Sequence, residues 1–153
     1  MIQLDHNEVR LRILLSLYLK HYGGQLGHPQ VTMKIIQESG LEHSDQNLVY
    51  GDIVYLKNGD YVKGMDVLGQ AYPYTLNITN KAIDLVNNVI DKFLDFLNQQ
   101  GDKESNTDRQ QIENTPGHTA KLYEIQRIII NNPDRFRKFL KEYSSHYGEL
   151  WPH

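Results

Sequence analysis

The chain has 153 residues, 39% of them hydrophobic, and a net charge of −3, which suits one proper core with a second small helical unit attached. It has no cysteine, which excludes disulfide staples and thiolate metal sites, and no apolar run approaches the roughly 20 residues that span a bilayer. Residues 1 to 80 carry 6 Lys/Arg against 8 Asp/Glu and the remainder 10 against 11, so neither half has the positive surplus of a non-specific nucleic-acid coat.

In chain order, Val9, Ile13, Leu14, Leu17 and Tyr18 fall at helical spacing between His6 and Lys20. Leu11, Leu15 and Leu19 fill the other sides, which predicts a nearly fully buried first helix with Asp5 or Asn7 as its cap. Gly23, Gly24 and Gly27 break the pattern as a flexible connector. Pro29 suits the first position of a second helix carrying Val31, Met33, Ile35 and Ile36 and ending at Gly40. His43-Ser44-Asp45 then reads as a cap for a third helix, with Val49, Ile53 and Leu56 on its core side.

The stretch from Ile53 to Lys81 reads as a helix end, a Gly turn, two short strands and a fresh helix start. Helix, short link, helix and then a hairpin over Gly59 to Pro73 resemble the helix-turn-helix plus wing of small transcription regulators. Residues 8 to 86 resemble the winged helix superfamily, closest to MarR- and PadR-type regulators, whose wing returns through a "Leu-Thr-x-x-Gly" phrase into a final helix. Here the matching phrase is Leu76-Asn77-Ile78-Thr79-Asn80-Lys81-Ala82, with Thr79 as cap and Ala82 where Gly is frequent. The expected fold is mainly α with a small β-hairpin wing: a winged helix-turn-helix domain over residues 1 to 80, then a long helix and a small C-terminal helical piece.

The long helix, 80 to 98, repeats Ile83, Val86, Ile90, Phe93 and Leu97 every three or four residues, a seam that predicts pairing with the C-terminal helices or, in a homodimer, with its own copy. Residues 99 to 117 are polar and read as a mobile linker. Residues 118 to 153 read as a helical pair, with Leu122, Ile125, Ile128 and Ile129 on one apolar face and Phe136, Phe139, Leu140 and Tyr143 on the other, closed by Leu150 and Trp151. Arg135, Arg137, Lys138 and Lys141 form the strongest positive cluster, read as a solvated face in preference to a docking surface.

The candidate recognition surface is the solvent side of the third helix, Gln46, Asn47, Tyr50 and Gly51, because Gln and Asn bond bidentately to adenine. Lys57 and Lys63 flank the wing, and Arg10, Arg12 and Lys34 supply the remaining phosphate clamps. Tyr50, Tyr55, Tyr61, Tyr72 and Tyr74 crowd the hairpin and are expected mainly to pack it. The seven histidines show no metal-ligand spacing, and no nucleophile stands beside a base, so no metal, no cofactor and no enzyme activity are expected.

The sequence therefore predicts a homodimeric, cytoplasmic DNA-binding regulator contacting double-stranded DNA, with no membrane segment. The alternative is a winged helix used for protein contact in a larger assembly, where an acidic balance is no handicap. Local charge discriminates: cations beside Gln46 and Asn47 favour DNA, and an acidic or apolar face favours protein.

Overall fold

A computed structural model describes residues 5–23 and 28–151, so the expected connector glycines Gly24 and Gly27 and the terminal His153 lie outside the described residues. The chain is mainly helical with a small three-stranded antiparallel sheet, and divides into two compact units, one up to Val86 and one from Asn87.

The first unit is built around α1 (His6–Tyr22), which Asp5 starts by accepting the Asn7 N–H and Gly23 ends through its N–H to the Leu19 carbonyl. Leucine and isoleucine on every side leave α1 buried over its middle turns, as the sequence predicts. Pro29 does not open a helix: Gln30–Val31 form β1, and α2 begins at Thr32 and runs to Glu38. The Thr32 N–H donates to the Tyr74 carbonyl at 2.9 Å and its hydroxyl to the Pro73 carbonyl at 2.7 Å, so pairing with a distant strand overrides the local helix signal.

Gly40, at φ 74°, closes α2 with the left-handed turn that glycine adopts without strain. The Leu41 N–H returns to the Ile36 carbonyl. Asp45 then caps α3 (Gln46–Asn58), whose Val49, Ile53 and Leu56 are fully buried as predicted. Two strands follow, β2 (Val62–Met65) and β3 (Thr75–Ile78), in the sheet order β1-β3-β2. Thr79 accepts the Ala82 N–H at the start of α4 (Asn80–Gln99), the capping role expected of it.

The second unit holds the later turns of α4 with α5 (Lys103–Asn114), α6 (His118–Asn131) and α7 (Pro133–Tyr147). The stretch 99–117, expected as a mobile linker, carries a capped helix instead. Asp102 accepts the Ser105 N–H to begin α5, Ile112 is buried, and Arg135 of α7 reaches both the Ser105 hydroxyl and the Asp108 carboxylate. Its polarity hid it, because α5 docks through ion pairs and one apolar residue in place of an apolar stripe. Phe93 of α4 meets Phe136 and Phe139 of α7 edge-on at 5.6 and 5.2 Å, and the Asn88 amide donates to the Tyr143 hydroxyl.

The Ser105 N–H holds the Asp102 carboxyl below its ordinary pKa, with the Ser105 hydroxyl next in effect. A depressed folded-state pKa means that this contribution is present above the ordinary carboxyl range and is lost as pH falls through the depressed value. Amide protection factors at Ser105 and Asn106, each rate being referred to the intrinsic rate at the same pH, should therefore fall on acidification, and Asp102→Asn should remove that fall while preserving the cap at neutral pH. Wild-type protection factors that stay flat across the acid range would contradict the assignment.

Candidate docking surface

The residues expected to grip DNA separate into two groups, and the division follows from what lies beneath α1. Arg10 donates through Nε to Asp52 at 2.8 Å and lays its guanidinium over the Tyr55 ring at 3.5 Å. Arg12 is 7% exposed, pairs with Glu8 one turn away at 3.1 Å and donates to the Ser39 carbonyl. Glu8 and Asp52 are themselves buried, and His6 adds a contact to Asp52 at 2.8 Å. Both arginines are thus engaged inside the unit, which corrects their expected place as phosphate clamps. A buried carboxylate needs a cation close by, and α1 supplies both.

Gln46 is likewise occupied: its amide nitrogen donates to the carbonyls of Leu41, Glu42 and Ser44 and so fastens the turn between α2 and α3. Lys57 pairs with Asp66 across the base of the hairpin loop. Asn47 on α3, Lys34 on α2 and Lys63 on β2 are exposed, and the two lysines form no ion pair among the described residues. Of the eight residues expected at the interface, these three are exposed, and Lys57 is a further cation in part open to solvent but ion-paired.

Tyr50 turns from α3 onto the hairpin. Its ring stacks on Tyr72 at 4.1 Å and 12°, and both hydroxyls donate to the sulfur of Met33 on α2, at 4.0 and 3.8 Å. Desolvation in the stack raises the Tyr50 phenol above its ordinary pKa, and the Tyr72 hydroxyl adds to the rise. Three elements are tied at this one point.

Strand register defines the rest of the surface. Val31 stands opposite Thr75 and Thr75 opposite Met65, so these three share one face of the sheet, and Lys63 with Asn77 continue it. Leu76 and Val62 fill the buried face. Between the strands, the Gln70 N–H donates to the Val67 carbonyl and Gly69 sits at φ 85°, a tight turn that lifts Leu68 fully into solvent. Val31, Met33, Met65, Val67 and Tyr74 are 39–56% exposed. The loop therefore offers apolar side chains at its tip, and its single charge, Asp66, is negative.

Residue type and spacing place Met33 only as an apolar residue of the second helix and do not single out Met65, Val67 or Leu68. The alternation of Met65 and Val67 after Lys63 was a usable signal, since outward residues recur every second position along an extended chain. Asp52 gave none, because only the meeting of α1 with α3 identifies its partners.

The α4 seam also changes meaning. Ile83, Val86, Phe93 and Leu97 are at most 8% exposed within one chain, leaving Ile90 half-buried. Phe93 already packs against the chain's own α7. Most of this row is therefore covered within a single chain. Among the described residues no cluster of three His, Asp, Glu or Cys is placed to hold a metal, and no helix is long and apolar enough to cross a membrane.

Two substitutions test the geometry. A Cβ at Gly64 would stand 2.5 Å from the Pro73 Cβ and 2.9 Å from the Thr75 carbonyl oxygen, so Gly64→Ala should destabilise the hairpin by about 1–3 kcal/mol. Asp52→Ala strands the half-buried Arg10 and should cost about 3–5 kcal/mol in chemical denaturation. A loss below 1 kcal/mol for the latter would remove the organising role given to this carboxylate. Compared with protein-family models, with curated proteins and with solved structures, the chain finds no match, so its own residues carry the assignment.

Proposed function

We propose that the chain is a winged-helix docking module whose α2, α3 and hairpin face binds a protein partner in a larger assembly. The element order α1, β1, α2, α3, β2, β3 supports the winged-helix reading. One observation favours protein over nucleic acid: the hairpin tip carries Met65, Val67 and Leu68 in solvent where a phosphate-gripping wing needs cations. An exposed leucine on a pinned turn is a suitable anchor for an apolar pocket, since the turn spares it much of the entropy cost of docking.

The second reading is the DNA-binding regulator. Exposed Asn47 on α3, with Lys34 and Lys63 on the neighbouring elements, favours it. A homodimer in that role would need a surface other than the α4 seam. For either reading the cytoplasm is the compartment we propose.

Titration of labelled random and selected duplexes at several salt concentrations separates the two. Protein docking predicts a Kd no tighter than about 10⁻⁴ M at physiological salt, unaltered by Lys34→Glu with Lys63→Glu. Tight, salt-steep binding abolished by that pair of changes would establish DNA instead. In the positive arm, a photoreactive amino acid replacing Leu68 should crosslink to a discrete protein in an extract of the native cell. Excess wild-type chain should compete this product away, and Leu68→Asp chain should not.

A further inference from the structure

We propose that Met33 is an oxidation site whose sulfoxide is received by the hydroxyls of Tyr50 and Tyr72, so that a peroxide stiffens the hairpin loop against α3. This goes beyond the docking proposal and does not depend on what the surface binds.

Met33 is 43% exposed, which leaves the residue within reach of a small oxidant. Two hydroxyl donors from different elements converge on that sulfur at 3.8 and 4.0 Å. A thioether is a weak acceptor, and in the reduced protein these contacts hold the loop weakly. The rings themselves are already fixed by their stack at 4.1 Å, so the hydroxyls need no further ordering to receive a better partner.

The chemistry balances with hydrogen peroxide alone. A sulfur lone pair attacks one peroxide oxygen, the S–O bond forms as the O–O bond breaks, and the second oxygen leaves as water after proton transfer. Sulfur loses two electrons and the peroxide gains them. The new oxygen projects one bond length from the sulfur and is a strong acceptor, so that rotation of the Met33 side chain brings hydrogen bonds of about 2.8 Å to the hydroxyls within reach. Oxidation of an exposed methionine usually loosens its surroundings by placing a polar group among apolar ones. Here two waiting donors reverse the sign.

Met65 supplies the internal comparison, being 56% exposed on the outer sheet face with no side-chain hydrogen bond to its sulfur among the described residues. The experiment therefore treats full-length Met65→Leu protein with hydrogen peroxide, confirms by peptide mass that Met33 has gained one oxygen, and follows backbone amide exchange over residues 66–74. Exchange should slow by roughly tenfold, as expected for two hydrogen bonds gained by a loop. The slowing should vanish when Tyr50→Phe and Tyr72→Phe remove the hydroxyls and keep the rings. Unchanged or faster exchange after oxidation, slowing that persists in the double Phe variant, or a Met33 that resists peroxide while Met65 of wild type reacts would each overturn the proposal.

Discussion

Two carboxylates withdrawn from water, one on α1 and one on α3, organise the first unit. Glu8 and Asp52 are at most 1% exposed, and an unpaired carboxylate there would cost several kcal/mol in lost hydration. Arg12 answers the first within α1, while Arg10 and His6 answer the second across the gap to α3. The pairing fixes orientation as well as charge. Asp52 shares the core stripe of α3 with Val49, Ile53 and Leu56, so the opposite side, with Asn47 and Gly51, must face solvent.

From this arrangement the character of the outer surface follows. Cations used internally are not at hand for a partner, and Gln46, spent on the turn carbonyls, is not either. What remains on the α2, α3 and hairpin side is a stacked tyrosine pair, two methionines and a leucine at the crest of a glycine turn. In the docking reading proposed for it, such a surface would gain from exclusion of water more than from Coulomb attraction, and its binding would respond weakly to salt. Lys34 and Lys63 are exposed on α2 and β2, the elements that carry Met33 and Met65.

Helices with continuous apolar patterning were legible in the sequence: α1, α3, α4 and the pair α6 and α7 stand where periodicity and caps place them, and Thr79 caps as its phrase suggested. The hairpin was legible from Gly59, from the alternation around Val62 and from the return through Leu76. Features made by tertiary contact were not. Two residues of β1 are too few to leave a period, and only the Tyr74 and Pro73 carbonyls turn Thr32 into a helix start. The α5 helix lacked an apolar stripe because Arg135 holds it through Ser105 and Asp108. On the candidate surface, residue type alone ranked the arginines as clamps, whereas the buried carboxylates that claim them are 42 and 4 positions away in sequence. A cation's role is fixed by its partner, and the partner is a property of the fold.

The side-chain Nε–H exchange of Arg10 and Arg12, read by nitrogen-15 NMR against the half-exposed Arg127, tests that central claim most directly. Both arginines should exchange at least about tenfold more slowly than Arg127, Arg10 through its Nε bond to Asp52 and Arg12 through burial of the whole guanidinium, and stay slow when duplex DNA is added. Exchange as fast as that of Arg127, or a shift of either Nε resonance on addition of duplex, would show the two guanidinium groups to be at the surface and would contradict it.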